Sequence, residues 1–328
     1  MPELFTALHT LPRHAYPFLW ADYVELLCLC SRNGFISSGN LQAQVQEAAD
    51  VQADTLPNDE DHDDTDQDAD ARMDDKVAAR WADIHQRLEA RRQNYPGWPF
   101  TLEPKVLRSS FDEQNPSHRL YAALLIASSL RLCHKKRSNE VTTAFEEIAY
   151  YWLRQSLNEH WVVKPFGAHQ KLPGAYDGTL LDKLKALATD IHAVLMKSPE
   201  DYDPLNTGDA GFDLVAWLDM GDQRGNMPVI FGQCACSPTD WESKQLDVTP
   251  ASSEAHLAPQ HPGAAYCFVP HDLSAGDKHW QRASHIKRTI VVDRLRLLSL
   301  LNRRTAWDKL PHLPFVDEAR QIGVVAAT

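Results

Sequence analysis

Two apolar runs of strand length, GFDLVAWLD (211–219) and PVIFGQCAC (228–236), separated by the turn-rich MGDQRGNM, constrain this chain more than any other feature. Their β-branched and aromatic content, bounded by Gly and Asn, predicts two neighbouring strands. Asp213 opens the first run directly after the Gly-rich turn GDAG (208–211), and Gln233 interrupts the apolar second run. If the strands pair as a hairpin, these two side chains lie near one another on one face. Alternation then puts Gln233 and Ala235 on one side, and Gly232, Cys234 and Cys236 on the other. An amide in so apolar a strand needs partners to be tolerated.

The surroundings predict an α/β arrangement with a mixed sheet. VTTAFEEIAYYWLRQS (141–156) reads as a helix, and WVVKPFG (161–167) as a strand ending at Gly167. Leu181, Leu184, Leu187, Ile191 and Leu195 mark a second amphipathic helix, stopped by Ser198-Pro199. Upstream, residues 17–33 predict a buried helix closed by Gly34. Trp81, Ile84 and Leu88 recur at helical spacing, and 119–133 predicts a further apolar helix. The organisation expected is an N-terminal helical segment (1–40), an acidic flexible linker (41–77), a helical region (78–138) and an α/β domain (139–328).

Charge sets the choice of partners. The net charge is −12, yet residues 54–75 hold eleven acids against Arg72 alone, so the rest of the chain stands near −2. That acidic run has too little apolar surface to offset its ordering entropy and reads as a linker. The stretch 279–304 reverses the average, with Arg282, Lys287, Arg288, Arg294, Arg296, Arg303 and Arg304 against Asp293. Ile290, Val291, Leu295, Leu298 and Leu301 give it an apolar face, which predicts a docked helix presenting a basic strip to a polyanion. Trp241 and Trp280 are candidates for stacking on bases or for core positions.

Several classes lack their signals. No 18-residue apolar run is present, the first residues lack the layout of a secretory signal, and six cysteines without framework spacing fit a reducing cytoplasm. Cys234 and Cys236 form a C-x-C with no second ligand pair nearby, so buried thiols are expected in place of zinc. Neither a phosphate-binding G-x-x-x-x-G-K-[ST] loop nor a G-x-S-x-G elbow occurs.

Asp213 in GFD, Gln233 in GQCA some twenty residues later, and Phe145-Glu146 on an upstream helix resemble the PD-(D/E)XK nuclease superfamily, in particular its Mrr-like restriction endonuclease branch. The resemblance spans roughly 139–300. It implies a restriction-endonuclease-like mixed sheet flanked by helices, behind a helical N-terminal region. It also implies Mg²⁺- or Mn²⁺-dependent hydrolysis of DNA phosphodiesters in restriction or antiphage defence, alone or with another subunit of such a system. Carried over by position, Asp213 and Gln233 hold the metal and Glu146 is the supporting helix carboxylate, with Glu147 as its neighbour and Asp209 in reserve. Arg282, Lys287, Arg288, Arg294 and Arg296 are the expected DNA contacts. The third motif position, where the family has Lys, is Ala235. Lys244 in WESK, or Lys171, is then the source of the cation at the scissile phosphate. If neither serves, the chain is a catalytically degenerate DNA- or partner-binding subunit.

Overall fold

The N-terminal half of this computed structural model is predominantly helical, and the C-terminal half is built on a mixed sheet. Residues 3–12, 17–53, 66–167, 172–276, 278–305 and 307–323 are described. In chain order come α1 (Pro17–Cys30), β1 (Phe35–Ser37), α2 (Ser38–Ala53), α3 (Asp66–Asn94), β2 (Phe100–Glu103), β3 (Val106–Ser109) and α4 (Pro116–Ser128). They are followed by α5 (Lys135–Ser156), β4 (Trp161–Pro165), α6 (Leu180–Asp190), β5 (Val194–Leu195), β6 (Leu214–Leu218) and β7 (Val229–Cys234). The chain closes with α7 (Trp241–Lys244), α8 (Pro250–Ser253), β8 (Leu257–Ala258), β9 (Ala264–Phe268), β10 (Ile290–Val292), α9 (Arg294–Arg304) and α10 (Pro314–Gln321). Two compact units result. One comprises 1–138, 276–279 and 313–328, the other 139–275 and 280–312. Among the described residues, no helix is long and apolar enough to cross a membrane.

The first unit packs helices around a short antiparallel sheet of order β1-β3-β2. At its centre the fully buried Arg91 guanidinium of α3 bridges Asp22 and Glu25 of α1 at 2.7 and 2.6 Å. Ser128 Oγ donates to the second oxygen of Asp22, while Tyr121 Oη and Trp98 Nε1 donate to the two oxygens of Glu25. Each carboxylate oxygen therefore accepts a hydrogen bond, the condition under which buried charge is tolerated.

The second unit carries a five-stranded sheet of order β10-β9-β7-β6-β4. β4, β6 and β7 form an antiparallel meander, and β9 and β10 run parallel to β7. Parallel pairing requires a crossover, and α7, α8 and β8 lie in the connection from β7 to β9. One face of the sheet carries Val215, Trp217, Val229 and Phe231, packed with Leu180, Leu184 and Leu187 of α6. Trp152 of α5 meets Tyr266 and Phe268 at centroid distances of 6.5 and 5.6 Å. Alternation puts those two β9 residues on the opposite face, so helices cover both faces.

Several boundaries differ from expectation. The presumed linker is helical at both ends, over Ser38–Ala53 and from Asp66 onward; residues 54–65 lie outside those described. α1 ends at Cys30, and a turn through Ser31–Asn33 precedes the left-handed Gly34. α6 stops at Asp190 because His192 takes a left-handed φ of 51°, releasing Val194–Leu195 to pair with β8. The expected continuous helix over 279–304 is instead the parallel strand β10 followed by α9, with Asp293 as the cap between them. The β-branched triplet Ile290-Val291-Val292 favours the sheet once β9 offers a free edge.

Replacing Arg91 by Met leaves two buried carboxylates without their cation and should destabilise the chain by about 3–5 kcal/mol. Urea unfolding followed by far-ultraviolet circular dichroism checks this.

Candidate active site at the β6–β7 end

The register that pairs Leu214 with Gly232 sets Asp213 and Gln233 across from one another at one end of the hairpin. Alternation assigns both to the face of Val215 and Phe231, where the apolar packing on α6 ends. Asp213 is 7% and Gln233 5% exposed. The main chain pins Asp213 firmly. Its N–H donates to Gly232 O at 2.8 Å, and its own carbonyl accepts from Phe166 and Gly167 at 2.7 and 3.1 Å. Gly167 packs closely against it, since a Cβ there would come within 3.1 Å of Asp213 Oδ1.

The polar side chains are incompletely satisfied. Asp213 Oδ2 accepts from Cys234 N–H at 2.8 Å, whereas Oδ1 has no hydrogen-bond donor among the described residues. Gln233 Nε2 donates to Cys234 O at 3.3 Å, but its buried Oε1 has no partner among the described residues. Burial, and secondarily the Glu146 carboxylate of α5, hold the Asp213 carboxyl well above the usual aspartate range. Asp209 adds to this, while the Cys234 N–H and the Lys244 ammonium act the other way.

Lys244, at the end of α7, donates to Asp247 Oδ2 at 3.0 Å, and that bond holds its ammonium above the ordinary lysine value. Asp209 and Asp213 act on it in the same direction. Asp247 in turn is pressed against the GDAG turn, where a Cβ on the left-handed Gly211 would meet Asp247 Cβ at 3.2 Å. One electrostatic neighbourhood thus contains Asp213, Gln233, Glu146, Asp209 and Lys244. Lys171 lies outside the described residues. Ala235, in the position of the motif lysine, is buried. Burial pushes the Cys267 thiol up to about 12 and raises that of Cys234 as well.

The donor set can be tested for a divalent cation. Among the described residues, no group of three or more His, Cys, Asp or Glu side chains stands together as a metal site. Mg²⁺ asks for less. One or two carboxylates and neutral oxygens suffice, the remaining positions being water and substrate. A buried carboxylate in the field of two other acids, beside an orphaned amide oxygen, fits such a hard ion. Asp213 and Gln233 would hold it, with Glu146 in support.

The expected DNA contacts separate into two groups. Arg282, Lys287 and Arg288 are exposed and make no ion pair among the described residues. Arg294 must be removed from the set, since it is 0% exposed and its Nε donates to Pro270 O at 2.8 Å, inside the protein. Arg296 is exposed but engaged, donating to Val291 O at 2.6 Å and lying 4.6 Å over the Trp280 ring. Trp241 is a core residue. Sequence reasoning missed Gln245, Asp247 and the close approaches at Gly167 and Gly211. The GDAG glycines were the available signal for the last.

In comparisons with known proteins, no family model, curated protein or solved structure matches the chain.

Because folding raises the Asp213 pKa, the folded chain binds a proton that the unfolded chain releases near pH 3.9. Stability contributed by this group is therefore present at low pH and lost as pH rises from there through the folded pKa. In chelator-treated protein, Asp213→Asn should abolish that loss and raise the melting midpoint at neutral pH. Mg²⁺ or Mn²⁺ at a hundredfold excess over its dissociation constant should stabilise the wild type by about 2.7 kcal/mol and leave Asp213→Ala unmoved, as calorimetry would show.

Proposed function

We propose that the chain is a metal-dependent endonuclease acting on DNA phosphodiesters, with a restriction-endonuclease-like mixed sheet as its frame. The observation that carries this reading is the meeting of Asp213, the orphaned Gln233 amide and the Glu146 carboxylate at the hairpin end, within the field of Lys244. The five-stranded mixed sheet with helices on both faces accords with the fold that the sequence resemblance implies. Perturbed titratable groups gathered with unsatisfied polar atoms are what catalytic sites require and structural cores avoid.

When bound, a divalent cation supplies polarisation of the phosphate and a lower pKa for an attacking water. The residues do the rest. Asp213 and Gln233 would hold the ion, and the exposed cations Arg282, Lys287 and Arg288 attract the backbone and make binding salt dependent. Lys244, kept charged by Asp247, faces the negative charge that grows on the phosphate during displacement. The setting that the resemblance implies is restriction or antiphage defence.

Ala235 favours a second reading, a catalytically silent subunit that binds DNA or a partner. A plasmid-nicking assay in Mg²⁺ and Mn²⁺ decides between the two. The nuclease cuts, Asp213→Ala abolishes cutting, and Lys244→Ala lowers the rate by roughly 10²- to 10³-fold, the loss typical of a lost charge-stabilising donor. Binding without cutting in either metal establishes the silent subunit.

A further inference from the structure

The segment 282–289, between the end of the β9 connection and β10, carries three exposed cations and little regular structure, only a single 3₁₀ turn over Ala283–His285. What holds it in place comes from α7. Gln245, the residue after Lys244, is 0% exposed. Its Nε2 donates to His285 O at 2.9 Å, and its Oε1 accepts from Lys287 N–H at 2.9 Å and from Thr289 Oγ1 at 2.8 Å. Glu242, three residues earlier, pairs with the His285 ring at 2.5 Å. The backbone on both sides of Lys287 is therefore fastened to the same short helix that carries Lys244, while the side chains of Lys287 and Arg288 point outward.

We infer that Gln245 is a positioning residue for phosphate recognition. It clamps the 285–289 backbone to α7, so that Arg282, Lys287 and Arg288 form one cationic ledge with Lys244 along the backbone of a DNA duplex. A buried amide with both ends used converts a loop that would otherwise lose entropy on meeting its ligand into a preorganised surface. Removing either end of the clamp frees Lys287 and Arg288 to move independently of Lys244. This inference rests on the nuclease reading for the role of Lys244, but not for the ledge itself.

The test is DNA binding by fluorescence anisotropy, using a duplex of mixed sequence and the full chain with Ca²⁺ in place of Mg²⁺, titrated from 50 to 200 mM salt. Each phosphate contact contributes a slope of about 0.9 in log K against log salt, so three contacts weaken binding about 40-fold over that range. Lys287→Gln and Arg288→Gln are each expected to lower the slope by about one. Gln245→Ala is expected to lower it by at least as much with no surface charge removed, which a purely structural loss would not do, because fewer folded molecules change the amplitude and not the slope. Thr289→Val, which deletes one bond of the clamp, gives the same result in smaller measure if Gln245→Ala fails to fold. A wild-type slope in folded Gln245→Ala or in Thr289→Val, or slopes unchanged by Lys287→Gln and Arg288→Gln, overturns the inference even where Asp213-dependent cleavage persists. Shifted slopes without cleavage in Mg²⁺ or Mn²⁺ leave the clamp standing and remove the nuclease reading. Absence of DNA binding removes both.

Discussion

The pairing of β6 with β7 in the Leu214–Gly232 register is the constraint on which the second unit depends. A slip of β7 by one residue would turn Val229 and Phe231 away from α6 while Val215 and Trp217 stayed in place. The same register carries a consequence at the hairpin end. It obliges a carboxylate and an amide to share a site from which water has been largely excluded. Packing that stabilises the sheet and burial that perturbs Asp213 are thus one event, and neither can be relieved without the other.

That end of the sheet is assembled from segments far apart in sequence. β4 reaches it through the N–H groups of Phe166 and Gly167, α5 contributes Glu146, and the crossover after β7 returns Lys244 and Asp247. Gly211 allows one of these approaches, since its left-handed φ of 88° disfavours a side chain and a Cβ there would meet Asp247 Cβ at 3.2 Å. Glu146 and Asp209 raise the Asp213 pKa, and Lys244, whose ammonium is shared with Asp247, acts the other way.

The hairpin, α5 and β4 were legible in the sequence because each depends on local pattern: β-branched runs, helical spacing and a terminal glycine. The proximity of Asp213 and Gln233 was conditional on the two runs pairing as a hairpin, which the Leu214–Gly232 register meets. What escaped was set by tertiary context. Residues 290–292 read as part of a helix because their apolar spacing suits one, yet the open edge of β9 recruits them into the sheet. Arg294 was counted among surface bases because a charge count carries no information about burial. Gln245 gave no signal at all, since a single glutamine after WESK is unremarkable until His285, Lys287 and Thr289 are seen around it.

The two units treat buried charge in opposite ways. Around Arg91, two carboxylates meet a guanidinium, a hydroxyl, a phenol and an indole, and each of their oxygens is satisfied within the chain. Such a network is complete and has nothing to offer a ligand. At Asp213, one carboxylate oxygen and the Gln233 carbonyl oxygen lack donors among the described residues, and the charges that act on the carboxyl are mostly of the same sign. Two adjacent deficits of the same kind, both electron-rich oxygens, are not repaired by a better rotamer or by a hydrogen-bond acceptor. Water, or the proton that burial helps Asp213 to keep, would serve these oxygens as well as a cation, and what distinguishes this end from the Arg91 network is that the described residues of the chain leave both oxygens unpaired.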